Sequence, residues 1–160
     1  PYKPAWKEIV GQFGKKYLNF DKTLNRSKLA IEIFQNDIKR ATLESILHPR
    51  VIAEEKNIYF DCQKLDPQAI VIIDSALLIE SKNYKNVDKV IIIKSNEELQ
   101  IKRVMNRDNK SRAAVKKRIQ SQMSLEKKMI YADYSIDNTN NRDLLKMQVH
   151  KLYTTLKSFL

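Results

Sequence analysis

Two short β-branched runs set the strongest limit on what this chain can fold into. One is Ile70, Val71, Ile72 and Ile73, and the other is Val90, Ile91, Ile92 and Ile93. Neither alternates with polar residues, so each reads as a strand covered on both faces of a parallel sheet. Parallel strands need long crossovers, and the flanking residues carry helical spacing. Residues 4–13 place Trp6, Ile9, Val10 and Phe13 on one helical face. Asn25 is a cap residue before a helix starting at Arg26, with Leu29, Ile33 and Phe34 inward. One helix is expected over 37–47 and another over 49–62, with Pro49 at a first helical position. Residues 96–130 return to helical spacing in two pieces split near 108–111. Residues 134–138 form a weaker third strand. A last helix over 141–158 turns Leu144, Leu145, Val149, Leu152 and Leu156 inward. The expected fold class is α/β with a parallel sheet and flanking helices.

Glycine usage narrows the chemistry. Of 160 residues only Gly11 and Gly14 are glycine, where average usage would give about eleven. A three-glycine dinucleotide turn is therefore excluded. Gly14-Lys15-Lys16 lacks the hydroxyl residue and the upstream glycine of a phosphate-cradling loop. Thirty Lys and Arg against nineteen Asp and Glu give a net charge of +11, which favours polyanionic partners without choosing among them. The single cysteine, Cys62, permits no internal disulfide and points to a reducing compartment. No apolar run approaches the roughly 18 residues of a membrane span.

Several residues can carry chemistry. Asp74 closes the first β-branched run, where ligands of open parallel sheets sit, and a carboxylate there can hold magnesium or cap the following turn. Residues 100–122 contain Lys102, Arg103, Arg107, Lys110, Arg112, Lys116, Lys117 and Arg118 against Asp108 alone. Gln100, Arg103 and Arg107 share one helical face, and two guanidinium forks on one face suit phosphate oxygens. The same cations also suit a solvated face or a nucleic-acid contact. No aromatic residue lies between Leu99 and Ile130 to stack bases, which speaks against a single-strand-binding module. His48 stands at a helix boundary, as a packing residue or a ligand. Arg26 is placed toward an anion or a carboxylate. Asn138, after the third strand, can read a base or make a turn.

In order along the chain, these pieces resemble the dephospho-CoA kinases. Pro4-Ala5-Trp6 with Phe13-Gly14 resembles the family's first helix after the substrate-binding turn. Asn25-Arg26-Ser27-Lys28-Leu29 resembles its D/N-R-x-x-L element, and Ile33-Phe34 with Leu43 and Leu47-His48-Pro49 its VF…L…LHP run. Asp74-Ser75-Ala76-Leu77-Leu78-Ile79-Glu80 is similar to its DxPLLFE segment, with Ala76 and Ile79 where the family has Pro and Phe. Gln100, Arg103, Arg107, then Arg118-Ile119, Gln122-Met123, Ala132-Asp133 and Ile136-Asp137-Asn138 complete the likeness.

The resemblance implies a P-loop kinase fold and ATP-dependent phosphorylation of the ribose 3′-hydroxyl of dephospho-CoA, with Mg2+, in the cytoplasm. It implies a helical, CoA-binding region over 1–65 and an α/β core over 66–160 with a lid at about 108–122. Arg107 would stabilise the transferring phosphoryl group. Arg26, His48, Leu78 and Glu80 would meet the substrate. Arg103, Arg112 and Arg118 would supply lid charge to the nucleotide, Asn138 would lie near adenine, and Asp74 would serve the metal. The partners implied are ATP and dephospho-CoA, not membrane and not nucleic acid. The family's opening strand, phosphate loop, helix and second strand, about 30 residues, would stand before Pro1. The chain is therefore expected to be the larger, C-terminal part of such a kinase and inactive alone. The vacancy of one strand would keep residues 70–73 and 90–93 from pairing with each other. A nucleoside monophosphate kinase fits the LHP run and the AD…DN ending less well.

Overall fold

The computed structural model describes residues 1–160, which divide into two compact units, Pro1–Ala69 and Ile70–Leu160. The first is helical apart from one β-bridge. Helix α1 (Pro4–Phe13) opens on a proline, whose fixed φ suits a first turn. It closes at Gly14, where φ is +86° and the amide returns to the Val10 carbonyl at 2.9 Å. An added Cβ would strain that turn through the backbone alone. A 3-10 turn (Lys15–Tyr17) leads to a Leu18–Leu24 bridge and then to α2 (Arg26–Gln35). Asn25 caps α2 by accepting the Lys28 N–H at 2.9 Å. Ile9, Tyr17, Leu29, Leu43 and Ile46 form the buried core of this unit, with Phe13, Leu24, Ile33 and Leu47 packed on it.

Two expectations for this unit need correction. Phe34, expected inward, is 48% exposed. The helices expected over 37–47 and 49–62 are one helix, α3 (Asp37–Leu65), with Pro49 inside it. Proline removes one helical N–H, but its removal does not dictate a break where neighbouring turns are held by packing. Here Leu43 and Ile46 are buried just before it. The Arg50 guanidinium donates to the Ile46 carbonyl at 2.5 Å and pairs with Glu8 of α1, covering polar groups beside the interrupted ladder.

The second unit holds the sheet. Strands β1 (Ile91–Lys94) and β2 (Tyr134–Asp137) pair in parallel, with Ile91 opposite Tyr134 and Lys94 opposite Asp137. Between them run α4 (Glu97–Asp108), α5 (Arg112–Gln120) and the short α6 (Leu125–Met129), and α7 (Arg142–Lys157) follows β2. The split at 109–111 stands where the sequence placed it. Asn109 turns left-handed at φ +49°, and Ser111 caps α5 through the Ala114 N–H. Ile79, Val90, Ile101, Val115 and Ile136 are buried, and Ile101 has no exposed surface at all.

The α/β class with a parallel sheet is therefore present, but residues 70–73 are not a strand. They form no backbone hydrogen bonds with β1 or any other segment, and Ile72 is 76% exposed. Side-chain preference alone makes no strand, because the ladder needs a hydrogen-bonded neighbour, and this run has none. On α7, Leu144 and Val149 are exposed rather than inward, while Leu145, Gln148, Leu152 and Leu156 are half-buried. Gln148 explains the rotation of the face. Its amide accepts the Asp137 N–H and donates to the Asp137 carbonyl, both at 2.9 Å, fixing α7 to β2.

Candidate active site

The carboxyl ends of β1 and β2 lie side by side, and a knot of polar groups closes over them. Asn138 continues the ladder by donating its N–H to the Lys94 carbonyl at 2.8 Å. Asn96 caps α4, so Ser95 is the single residue between β1 and that cap. Two side chains on one face of α4 reach back to these ends. Gln100 donates Nε2 to the Ser95 carbonyl at 2.9 Å, and Arg103 donates Nη1 to the Asn138 carbonyl at 2.8 Å. Arg103 and Asn138 are thus brought together directly. Ligands of open parallel sheets sit at this edge.

One turn further along α4, Arg107 projects into water with its side chain 73% exposed and forks onto Asp108 at 2.7 and 3.2 Å. The hydrogen bond from Arg107 holds the Asp108 carboxyl below its usual range. Arg112, in the first turn of α5, donates to both oxygens of Glu98 at 2.5 and 2.7 Å, and holds that carboxyl low in the same way. Arg118 is exposed on α5. Helix α5 therefore presents its cations to solvent, with Val115 as its buried anchor.

Asp74 is exposed and follows the unpaired run rather than a strand. No group of three potential ligands surrounds it or any other position. A lone carboxylate fits Mg2+ that arrives with phosphate and water ligands, and does not fit a resident metal. Leu78 is half-buried, and its carbonyl accepts the Tyr84 N–H at 3.1 Å. Glu80 turns into the protein. Its Oε1 accepts the Met123 N–H at 2.9 Å and lies 3.0 Å from Lys128 Nζ, which also donates to the Ala76 carbonyl at 2.9 Å. The segment 76–80 is thereby clasped to the residues that follow α5. Burial pushes the Glu80 carboxyl up, but the Met123 and Glu80 N–H groups and Lys128 together outweigh it and hold the carboxyl below its usual range.

A prediction follows from that clasp. Glu80's stabilising contribution is present above the ordinary carboxylate range and is lost as pH falls through its lowered folded value. Lys128→Met destabilises the protein by about 2 kcal/mol at neutral pH, less than for a fully buried pair because both side chains keep some contact with water. Urea unfolding of both proteins, repeated down to strongly acidic pH, checks this: the gap closes as Glu80 takes up its proton. A pH-independent gap would show that Lys128 acts through packing alone.

In the helical unit, Arg26 is exposed in the first turn of α2, and His48 is half-buried within α3, one residue before Pro49. No hydrogen bond links the two. Ser95, Glu98 and Lys128 were not singled out from the sequence. Ser95 had a readable signal, a polar residue at the carboxyl end of a β-branched run. Glu98 and Lys128 had none, since their partners lie 14 to 52 residues away.

Comparison with known proteins places the chain in a family. The sequence model of the family CoaE, dephospho-CoA kinase, matches residues 1–143. The chain belongs to the dephospho-CoA kinase family. Among curated dephospho-CoA kinases, that of Syntrophus aciditrophicus is 33% identical over 98% of this chain and 66% of its own length. That of Listeria monocytogenes is 37% identical over 89% of this chain and 71% of its own. The chain thus spans about two thirds of the length of these dephospho-CoA kinases. The solved dephospho-CoA kinase from Campylobacter jejuni is 33% identical, with a TM-score of 0.60 over 95% of this chain and 76% of that one. The crystal structure of TT1252 from Thermus thermophilus shares the fold at 22% identity, with a TM-score of 0.72 over 95% of this chain and 80% of that one. The helix-rich α/β fold with its small parallel sheet is therefore that of dephospho-CoA kinase.

Proposed function

We propose that the full-length protein transfers the terminal phosphoryl group of ATP to the ribose 3′-hydroxyl of dephospho-CoA, forming coenzyme A in the cytoplasm. The observation that carries this reading is the carboxyl edge of the sheet. There Gln100 and Arg103 of α4 meet the strand ends, Arg107 projects into water one turn further on the same face, and the cationic α5 follows. Phosphoryl transfer is mostly positioning and neutralisation of charge, which is what this donor set supplies.

The region 1–65 binds the CoA moiety, with Arg26 and His48 as its contacts, and residues 66–160 form the nucleotide core with a lid at about 108–122. Leu78 and Glu80 shape the substrate side, with Glu80 acting through the clasp described above. Asn138 lies near the adenine, and Arg103 serves the nucleotide. Arg107 meets the transferring phosphoryl group, and Arg112 and Arg118 add lid charge. Asp108 and Glu98 hold Arg107 and Arg112 meanwhile, and phosphate replaces one anion by another. Asp74 lends a ligand to Mg2+, which when bound offsets the charge on the phosphate oxygens.

Incubation of the full-length protein with ATP, Mg2+ and dephospho-CoA tests the reading. Coenzyme A carrying its new phosphate on the 3′-oxygen is the expected product, identified by phosphorus NMR, and chelation of the metal abolishes its formation. Phosphate on the 2′-oxygen, or ATP hydrolysis without coenzyme A, would refute it.

A further inference from the structure

Residues 76–80 belong to neither a helix nor a strand, so their position depends on what grips them from outside. The carbonyls of Leu77, Leu78 and Ile79 accept the N–H groups of Ser81, Tyr84 and Lys82 at 2.9, 3.1 and 2.9 Å, which closes local turns and no more. Ile79 is buried and pins the middle of the segment. Its two ends converge on one side chain. Lys128 Nζ, on α6, donates to the Ala76 carbonyl at 2.9 Å and stands 3.0 Å from Glu80 Oε1. An ammonium with three donors suits two separate acceptors.

This contact is unlike the surface pairs of the chain. The Lys128 and Glu80 side chains are only 15% and 22% exposed, less than any other ion-paired side chain. Glu80 Oε2 is enclosed and has no hydrogen-bond partner, so Oε1 meets both the Met123 N–H and the ammonium. Lys128 is the ion-pair partner of this carboxylate. Taking it away leaves a sheltered charge uncompensated, which costs more than the intact pair contributes. The carboxylate then turns toward water and away from Met123. Loss of one ammonium therefore frees segment 76–80 at both ends.

We propose that Lys128 is a positioning residue for dephospho-CoA. It touches neither substrate nor nucleotide, and sets segment 76–80 by holding the Ala76 carbonyl and the Glu80 carboxylate together. This rests on the kinase reading above and deepens it, because that reading puts Leu78 and Glu80 on the substrate side. Leu78 sits between the two gripped residues, so the grip sets how far it can shift. The arginines of α4 and α5 do not share this dependence. Their helices carry their own caps, Asn96 and Ser111, and their own buried anchors, Ile101 and Val115.

The test compares the full-length protein with its Lys128→Met variant and with the double variant Lys128→Met, Glu80→Gln, all assayed below their melting temperatures. In the single variant the KM for dephospho-CoA rises about tenfold, as for one lost charge-assisted hydrogen bond, while kcat and the KM for ATP stay within about twofold. In the double variant an amide oxygen still accepts the Met123 N–H and no charge is left uncompensated, so most of the melting temperature returns. The Ala76 carbonyl stays unheld, and the KM for dephospho-CoA stays raised. Return of that KM together with the melting temperature would overturn the proposal and make Lys128 a stabilising residue only. A folded single variant with an unaltered KM for dephospho-CoA would also overturn it, as would an equal rise in the KM for ATP. Failure of the unsubstituted protein to form coenzyme A would defeat the kinase reading itself, and this proposal with it.

Discussion

Arg107→Ala in the full-length protein lowers turnover by at least about a hundredfold, because an arginine that stabilises a transferring phosphoryl group acts where charge changes most. The same substitution leaves the melting temperature essentially unchanged. Its guanidinium is largely in water, and its one ion pair is with the adjacent Asp108, a surface contact of the kind that adds little to stability. Loss of turnover without loss of fold is what separates a catalytic arginine from a structural one. Arg107→Lys recovers only a small part, since an ammonium cannot present the planar fork. Steady-state kinetics beside a thermal melt read both quantities. Turnover near that of the unsubstituted protein would remove Arg107 from the phosphoryl site.

The largest effect on stability is expected at Ile101. It has no exposed surface in α4, and truncating a fully enclosed isoleucine to alanine costs about 2–5 kcal/mol. The upper part of that range applies if the neighbouring helices cannot relax into the space. The second unit has few other buried apolar side chains to compensate, chiefly Ile79, Val90, Val115 and Ile136. Ile101→Ala also bears on the site, because Ile101 lies between Gln100 and Lys102 on the helix that carries Arg103 and Arg107. A shift of the urea midpoint smaller than that of an exposed control, such as Ile130→Ala, would contradict the burial seen here.

Helix positions were readable because their signals are local. Asn25, Pro4 and Ser111 each act within one turn, so α1, α2 and the break before α5 stand where the residues place them. Residues 70–73 have the same strand preference as 90–93, yet only the latter region pairs. A strand is a relation between two segments, and composition reports on one of them. Pro49 misled for a similar reason. Its cost is local, but the packing of Leu43 and Ile46 and the contacts of Arg50 that accommodate it come from elsewhere in the fold. In the candidate site, the shared face of Gln100, Arg103 and Arg107 followed from spacing. That Arg103 ends on a carbonyl, 35 residues away, did not. Glu80 was marked by likeness alone, and its bond to Met123 and Lys128 is a tertiary fact.

Gln148 has a consequence for the sheet as a whole. In a parallel ladder the peptide groups of alternate residues face opposite sides. Asn138 donates toward β1, so those of Asp137 face away from it, and there the Gln148 amide takes both, mimicking a neighbouring backbone. Addition of a strand is thus blocked at that end of β2. The Gln148 amide closes the outer edge of the sheet at the carboxyl end of β2.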